Sequence, residues 1–279
     1  MSANQLTTAD VAAFYDRTNE LLTRYFGGSM HYGYWDGPND AATFAEASVR
    51  FTDMMIATLR AGAARQILDV GCGTGRPTIQ LARSTGAQVV GVSISAHDVE
   101  LATELAAAEG MTDQVSFRQA DAMELPFPAG SFDAAWAFES LGHVPDRSQV
   151  LAEIARVLRP GGRLALSDAF ERVPVEEEIR TDFDGVMAAW RAVDLVDRAT
   201  YERIVTEAGF TLDALTDVSD HIVYSYPRIF RSLMHDRDTE PDFPEELADL
   251  AAAYEKMAPH SRATVASSGY LTIGAARTG

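Results

Sequence analysis

Hydrophobic side chains follow two different periods along this chain. Between Ala45 and Leu59 they recur at the spacing of one helix face, which predicts an amphipathic helix. Beyond it, short apolar runs of strand length alternate with helical patterns. The predicted strands are Gln66–Val70, Gln88–Ser93, Val115–Gln119, Phe132–Phe138 and Arg163–Ala169, and the predicted helices between them are Arg76–Ser84, His97–Glu109 and Ser148–Leu158. Because parallel neighbours need long connections, this alternation predicts a parallel, doubly wound α/β sheet.

The last third of the chain follows a different pattern. Thr211–Asp217 and Gly269–Arg277 are predicted strands, and Pro244–Met257 between them is a predicted helix. The intervening stretch of roughly 50 residues is too long for an unstructured loop in a compact domain. Together with Val175–Ala192, we expect it to form a helical lid over the carboxyl ends of the strands, where open α/β sheets bind their ligands.

Charge and composition limit the classes of partner. The chain has 279 residues, of which 47% are hydrophobic, as expected for one elaborated globular domain. Its 41 acidic and 23 basic side chains give a formal charge of -18, and such a field repels polyanions. Nucleic acid and anionic membrane are therefore not expected as main partners. Whether the protein forms a homo-oligomer stays open.

Other features of the sequence favour a cytoplasmic protein without a metal. Cys72 is the single cysteine, which excludes an internal disulfide and a cysteine-based zinc cluster. Met1–Asp10 lacks a basic start followed by an apolar run, so no secretory leader is expected. The six histidines are dispersed, and no acidic cluster has ligand spacing, so no metal site is expected.

The sharpest chemical signal is the segment Ile67–Gly75, in which a strand runs into a glycine-rich turn that opens a helix. Glycine lets the backbone approach a ligand where any Cβ would clash. Arg76 stands where the dinucleotide pattern G-x-G-x-x-G requires its last glycine, and Asp69 would repel a pyrophosphate. The turn suits a ligand with a cationic amine and a sulfonium. The alternative is an ordinary strand-to-helix turn.

Several segments resemble the class I S-adenosylmethionine (SAM) dependent methyltransferases. Asp69–Gly75 looks like the first motif of that family, and three further segments are similar to its later motifs: Asp121–Phe127, Ser131–Asp133 and Leu158–Leu164. Met30–Trp35 and Glu139–Asp146 resemble a narrower group of bacterial natural-product methyltransferases, of the rebeccamycin sugar and rifamycin O-methyltransferase type. A spinosyn cyclase and tocopherol C-methyltransferases share much of this pattern.

The resemblance implies a Rossmann-like sheet of seven strands, the last one antiparallel, with a helical lid. Residues 1–60 would form a helical cap over the cofactor, and residues 61–175 the SAM-binding core. Residues 176–279 would supply the last strands and the inserted substrate lid, all within one domain.

The resemblance also implies a set of cofactor contacts. Gly71 and Gly73 would approach the methionine and ribose parts of SAM, and Asp69 would order the loop and the cofactor's amino group. Phe138 would offer its carbonyl to the ammonium. Contacts with the adenine would come from Asp121, at its amino group, and from Ala122 and Met123, which would flank the ring.

Aromatic side chains of the amino-terminal part are further candidates. Tyr34 and Trp35 would close over the methionine end of SAM, where ring faces favour a cation. The alternative is that both rings only pack in the core.

Two positions depart from the family pattern. Ser93 stands where most class I enzymes carry the acid that holds the ribose hydroxyls, and Asp98, five residues on, stands where the nearer relatives have glutamine. Asp98 would take over ribose binding; alternatively it is a first-turn acid that interacts with the helix dipole.

The second departure concerns the base. Gly142 replaces the histidine proposed as general base in the sugar O-methyltransferase relative. His143 and Asp168 remain as candidates for proton removal, although His143 alternatively contacts the cofactor and Asp168 alternatively is a strand-end hydrogen-bonding acid. Because glycine replaces this base, the sequence favours C-methylation, or a pericyclase that keeps SAM bound, more than it would with a histidine there, relative to sugar O-methylation.

The lid carries the candidate substrate contacts. Its aromatic-rich segment includes Trp190, His221, Tyr224 and Tyr226, which either pack in the core or line a pocket for a bulky apolar substrate. The expected function is transfer of the SAM methyl group to an oxygen or carbon of a hydrophobic secondary metabolite, leaving S-adenosylhomocysteine. The alternatives are a SAM-binding cyclase, a C-methyltransferase coupled to terpenoid cyclisation, and a non-catalytic SAM sensor.

Overall fold

The computed structural model describes residues 7–279, apart from the side chains at positions 261, 262 and 265. Residues 1–6 lie outside the described residues. They include part of the predicted cap and part of the Met1–Asp10 segment, in which no secretory leader is expected. Within the described range, no helix is long and apolar enough to cross a membrane.

Seven strands form one sheet. They are β1 (Gln66–Val70), β2 (Gln88–Ser93), β3 (Val115–Gln119), β4 (Phe132–Phe138), β5 (Leu158–Glu171), β6 (Phe210–Asp217) and β7 (Ser268–Arg277). Their order is β3-β2-β1-β4-β5-β7-β6, in which β7 is antiparallel to both of its neighbours and the remaining pairs are parallel. The predicted seven-stranded, Rossmann-like sheet with an antiparallel last strand is confirmed.

Helices cover both faces and the carboxyl end of the sheet. They are α1 (Thr8–Tyr25), α2 (Phe44–Leu59), α3 (Arg76–Thr85), α4 (Ala96–Ala108), α5 (Arg147–Val157), α6 (Glu177–Ala189), α7 (Arg198–Glu207), α8 (Ser219–Ile222), α9 (Tyr226–Thr239), α10 (Glu245–Met257) and α11 (Ser261–Ser267). Helices α6, α9, α10 and α11 form the lid, as the long insert and the 175–192 segment predict. The chain order reverses between β1 and β4, so the carboxyl ends of these two strands flank the switch point.

Local chemistry explains where the core elements begin. Thr43 and Glu46 form a reciprocal capping box at the start of α2, and Ser95 accepts a hydrogen bond from the backbone of Asp98 at the start of α4. Gly75 precedes α3 with a φ of 84°, and Pro77 occupies its first turn. These signals are local, so the predicted bounds of the core elements other than β5 agree with the structure to within one or two residues.

Strand β5 is longer than predicted, running over Leu158–Glu171 instead of Arg163–Ala169. Leu158 pairs with Phe132, and the register between β4 and β5 shifts before Ala134 pairs with Arg163. The glycine-rich stretch therefore interrupts β5 without ending it, because Leu158, before the glycines, is still paired with β4.

Helix α1 is the element that most changes the expected arrangement. Its buried face, which includes Phe14 and Leu22, packs against the core, while Arg17 pairs with Glu246 of α10 at 2.5 Å. The Tyr25 hydroxyl donates to Asp236 of α9 at 2.9 Å. Helix α1 therefore contacts both α4 of the core and α9 and α10 of the lid.

Candidate functional site

The glycine-rich turn after β1 is built so that side chains are excluded from two of its positions. A Cβ on Gly71 would lie 2.3 Å from the Cβ of Ser140, and one on Gly75 would lie 2.7 Å from the Cβ of Ala102. Gly73 has a φ of 50° and more room, with Met30 Cβ 3.5 Å from the position of an added Cβ. The turn therefore brings bare backbone to the switch point.

A cleft opens over this turn, and we call it the glycine-turn cleft. Eight of the predicted site residues line it: Gly71, Gly73, Ser93, Asp98, Asp121, Ala122, Phe138 and His143. Helix α1 supplies a further wall through Thr8, Val11, Tyr15 and Asn19, four residues that the sequence interpretation did not name. The apolar spacing of α1 and its Thr7–Asp10 capping box are the signal from which this helix was predictable.

Asp98 stands at the centre of a polar group in the cleft. Only 3% of its surface is exposed, and it accepts hydrogen bonds from Ser93 Oγ at 3.1 Å and from the amide nitrogen of Asn19. Burial raises the pKa of Asp98. The amide oxygen of Asn19 is buried and has no hydrogen-bond partner among the described residues. An unpaired buried acceptor beside a carboxylate is suited to a ligand that carries hydroxyl donors.

Asp121 follows β3 and shapes the opposite wall. Its carboxylate accepts from the backbone N–H of Met123 at 2.8 Å, which fixes the turn. Ala122 lines the cleft, whereas Met123 does not. The structure therefore does not bring Met123 to the cleft wall where the resemblance expects it.

Asp69 is buried behind the glycine turn instead of lining the cleft. It accepts from the Thr78 hydroxyl at 2.6 Å, which ties β1 to α3, and burial raises its pKa to about 7. This position suits the expected ordering of the loop. It does not suit direct contact with a cofactor's amino group.

Tyr34, Trp35 and His221 lie outside both cavities of the site, so the structure does not bring them to either one. Trp35 is fully buried and donates its indole N–H to Ser225 Oγ at 2.9 Å. Tyr34 stacks on His221 with ring centroids 4.1 Å apart, and His221 Nδ1 lies 2.8 Å from the carbonyl oxygen of Trp35. These contacts join the 30–35 segment to the chain between β6 and α9, and they agree with the alternative that Tyr34 and Trp35 pack in the core.

A second cavity, which we call the lid cavity, has a volume of about 630 Å³. Its walls are mainly apolar and aromatic, and include Phe183, Met187, Trp190, Tyr224, Tyr226, Phe230, Tyr254 and Tyr270. Three of the four predicted substrate contacts, Trp190, Tyr224 and Tyr226, lie in this wall. Among the described side chains, no lysine or arginine lines it.

The two cavities meet at four residues that line both of them: Tyr15, Met30, Glu139 and His143. Glu139 has a φ of 52°, a left-handed conformation that is costly for a residue other than glycine. Its carboxylate accepts from the backbone N–H of Tyr32 at 3.1 Å, and burial raises its pKa well above the ordinary range. The sequence interpretation did not single out Glu139, because a strained backbone conformation at a residue other than glycine cannot be predicted from the sequence.

His143 is held from both sides of its ring. Its Nε2 lies 2.9 Å from the Tyr15 hydroxyl, and its Nδ1 lies 3.1 Å from the backbone carbonyl oxygen of Arg191. Burial lowers the pKa of His143 below that of a free imidazole, so the ring is neutral at pH 7. The ring borders the space in which the two cavities join.

Asp168 lines the lid cavity with a carboxylate that is already engaged. One oxygen accepts from the backbone N–H of Ala169 at 2.8 Å, and the other accepts from the Tyr201 hydroxyl and pairs with Arg147 Nε at 3.5 Å. A Cβ on Gly142 would lie 3.1 Å from Asp168, so a histidine at that position would crowd the carboxylate. Glycine leaves this part of the cavity open.

Within the described part of the chain, no three histidine, cysteine or acidic side chains form a group able to hold a metal ion. The polar groups of the site instead suit an organic ligand. In the glycine-turn cleft they include the buried carboxylate of Asp98, the Ser93 hydroxyl, the unpaired amide oxygen of Asn19 and the bare backbone of Gly71 and Gly73.

Comparison with known proteins agrees with this architecture. Residues 68–166 match a family model described as a methyltransferase domain. The chain is 44% identical over 211 residues to Methyltransferase GfsG of Streptomyces halstedii, covering 76% of each chain. It is 41% identical over 216 residues to the 27-O-demethylrifamycin SV methyltransferase of Amycolatopsis mediterranei, covering 77% of this chain and 78% of that one.

A solved structure is similar over nearly the whole length. The [4+2]-cyclase SpnF superposes with a TM-score of 0.84 at 28% identity, covering 98% of this chain and 96% of the other. Sequence relatives, family model and fold all agree with the motifs of the glycine-turn cleft. The chain therefore belongs to the SAM-dependent methyltransferases, among the enzymes of natural-product biosynthesis.

Proposed function

We propose that the protein transfers the methyl group of SAM to an oxygen or carbon of a bulky, mainly apolar secondary metabolite. The observation that carries this proposal is the junction at Tyr15, Met30, Glu139 and His143, four residues that line both the glycine-turn cleft and the lid cavity and so place the two cavities side by side. Two ligands that meet at one point are what an in-line group transfer requires. The similarity to the 27-O-demethylrifamycin SV methyltransferase of Amycolatopsis mediterranei supports a large acceptor.

The residues of the glycine-turn cleft fit SAM by their chemistry. Asp98, with Ser93 and Asn19 bonded to it, offers acceptors to the ribose hydroxyls, and the unpaired Asn19 oxygen gives them a further acceptor. Asp121 would accept from the adenine amino group beside Ala122. Gly71, Gly73 and the carbonyl of Phe138 would hold the methionine part. When bound, SAM supplies a methyl group that its sulfonium makes electrophilic.

The lid cavity favours an uncharged acceptor. Its aromatic walls provide apolar contact area, and Trp190, Tyr224 and Tyr226 would contact the acceptor there. No described cationic side chain lines the cavity to neutralise a phosphate or carboxylate.

For an acceptor hydroxyl, His143 is the better candidate for proton removal. It is neutral, it borders the junction, and it has one ring nitrogen with a lone pair. Both oxygens of Asp168 are already engaged, by Ala169 on one side and by Tyr201 and Arg147 on the other. Attack by a carbon–carbon double bond requires a base only after the methyl group has moved.

A second candidate function is cyclisation by a SAM-bound protein that does not consume the cofactor. The similarity to the [4+2]-cyclase SpnF and the large apolar cavity favour it. In this case the lid cavity would act through its shape, and Gly142 would serve to enlarge it.

Methyl-labelled SAM separates these functions. We expect label to appear in an organic product, with an equal amount of S-adenosylhomocysteine, when the protein is incubated with hydroxylated macrocycles and polycyclic phenols, including 27-O-demethylrifamycin SV. Conversion of an acceptor without loss of SAM would establish the cyclase instead. Tight SAM binding with no change in any acceptor of the panel would contradict both enzymatic functions.

Replacing Asp98 with alanine is expected to weaken binding of both SAM and S-adenosylhomocysteine, because the two ligands share the ribose. Loss of charged hydrogen bonds of this kind costs about 1.5–3 kcal/mol each. Titration calorimetry measures both affinities.

Glu46→Ala is the matched control for the helix-dipole alternative. Glu46 stands at the third position of α2, as Asp98 does in α4, but it lies away from the cleft. Both variants lose a first-turn acid, and only Asp98→Ala should lose affinity. Equal affinities in the two variants would leave Asp98 as a helix-terminus residue.

A further inference from the structure

Tyr15 and His143 form a hydrogen-bonded pair at the junction of the two cavities. Tyr15 lies on α1, and its hydroxyl oxygen is 2.9 Å from His143 Nε2, with the rings edge to face. Both residues line the glycine-turn cleft and the lid cavity. The pair therefore borders the place where a methyl donor and an acceptor would meet.

The direction of this hydrogen bond follows from the partner on the other side of the imidazole. His143 Nδ1 faces the backbone carbonyl of Arg191, which only accepts, so Nδ1 carries the proton. In the neutral ring Nε2 then has the lone pair, and the Tyr15 hydroxyl donates to it. Burial raises the pKa of Tyr15, so the phenol keeps its proton at neutral pH.

This arrangement leaves the lone pair of His143 covered by Tyr15. A hydroxyl in the lid cavity has no free nitrogen to which it can donate. The phenol oxygen of Tyr15 still has a free lone pair, because its only hydrogen bond among the described residues is the one it donates. A substrate proton is therefore expected to enter the pair through Tyr15.

We propose that Tyr15 takes the proton of an acceptor hydroxyl while passing its own proton to His143, so that the two side chains act as one base. This inference rests on the proposed methyl transfer and applies to its oxygen-directed form. Tyr15 is then a catalytic residue that touches the acceptor, and His143 acts through it.

The step balances in atoms and charge. A lone pair of the acceptor oxygen forms the new bond to the methyl carbon, and the carbon–sulfur bond breaks with its electron pair left on sulfur. The hydroxyl proton moves to Tyr15 Oη, and the former Tyr15 proton moves to His143 Nε2. The site begins with one positive charge on sulfur and ends with one on the imidazole, so no net charge is created in the buried junction.

The charged groups around His143 act in opposite directions on its protonation. Asp168 on β5 favours the imidazolium, whereas Arg147 on α5 and burial disfavour it; Glu139 after β4 adds a carboxyl group on the same junction. The pKa of His143 lies below the ordinary value, so the neutral ring persists as the pH falls through 6.5. Methyl transfer is therefore expected to keep its rate at pH 6.5 and to decline only at lower pH.

Nitrogen NMR of the protein saturated with S-adenosylhomocysteine tests the pair without any acceptor. The signals of His143 are assigned by their loss in His143→Gln. We expect the neutral ring with hydrogen on Nδ1 in the parent protein. In Tyr15→Phe the pKa of His143 should rise, because the donated bond that stabilises the neutral ring is gone. Hydrogen on Nε2 in the parent, or an unchanged pKa in the variant, would overturn the proposal.

Single-turnover methylation of an acceptor found with labelled SAM tests the chemical role. Tyr15→Phe should slow the step by about 10- to 150-fold, the range for one lost hydrogen bond to a group that becomes charged. The proton inventory in mixed water and deuterium oxide should change from two protons in flight to one. Affinity for S-adenosylhomocysteine, measured by calorimetry, should change little.

Tyr25→Phe is the matched control, because Tyr25 also lies on α1 but donates to Asp236, away from the junction. A parental rate in Tyr15→Phe, or an equal loss in both variants, would overturn the relay. The expected NMR result with no methylated acceptor would instead contradict the proposed function, and with it the role of the pair.

Discussion

Replacing His143 with alanine is expected to slow single-turnover methyl transfer to a hydroxyl by about 100- to 10,000-fold, the usual contribution of a positioned general base. The physical reason is that the proton leaving the acceptor then has no neutral nitrogen to receive it. Rapid mixing with saturating SAM measures the step, and calorimetry of SAM binding shows whether a slower rate reflects chemistry or affinity.

Asp168→Asn is the comparison that identifies the base. Asp168 is bonded to Tyr201 and paired with Arg147 in a buried setting, and breaking such a pair costs up to about 3–5 kcal/mol of stability. We therefore expect a lower unfolding temperature and a smaller loss of rate than in His143→Ala. If His143→Ala keeps the parental rate with SAM bound while Asp168→Asn loses it, Asp168 is the base. If both variants keep it, proximity and the shape of the cavity supply the rate.

Gly73→Val is expected to weaken SAM binding by about 5- to 150-fold, the factor that corresponds to 1–3 kcal/mol of overpacking. Gly73 lines the cleft, and a Cβ there meets no protein atom closer than 3.5 Å, so the new methyl groups would occupy space needed by the cofactor and not by the fold. Titration calorimetry with SAM and S-adenosylhomocysteine gives the affinities.

The strain of the backbone requires its own control. Gly86 ends α3 with a φ of 69°, close to the 50° of Gly73, and an added Cβ there meets nothing within 4 Å. Gly86→Val should lose a similar amount of stability on thermal unfolding while it keeps the parental affinity. Equal SAM affinity in both variants would mean that the cofactor does not lie over the glycine turn.

The assignment of the cleft was predictable because its signals are local. The polar residues and glycines of the cleft follow the ends of predicted strands: the glycines follow β1, Ser93 ends β2 and Asp121 follows β3. The bounds of these strands are predictable from short-range periodicity. Carboxyl ends of parallel strands meet at one edge, so residues far apart in sequence, such as Gly71 and Asp121, are expected to line one cleft. The extent of β5 was less predictable, because the sheet pairing of Leu158 overrides a local turn signal.

The aromatic candidates show where local reasoning fails. Trp35 and His221 are residue types that often line ligand pockets. In this protein the indole of Trp35 bonds to Ser225, and the ring of His221 bonds to the backbone carbonyl of Trp35. Whether an aromatic ring packs or lines a cavity depends on which surface faces it, and this surface comes from a distant part of the chain.

Short-range patterns are sufficient to predict the class of this protein, through the order of strands and helices, the glycine turn, the polar residues at the strand ends and the aromatic lid. These features depend on spacing within a few residues. The residues at the junction of the two cavities, in contrast, come together only through tertiary contacts. Tyr15 and His143 are separated by 128 positions, and Glu139 reaches both cavities through a strained backbone. Contacts of this kind form when α1 packs against both the core and the lid, because long-range packing depends on shape and burial, which local sequence patterns do not contain.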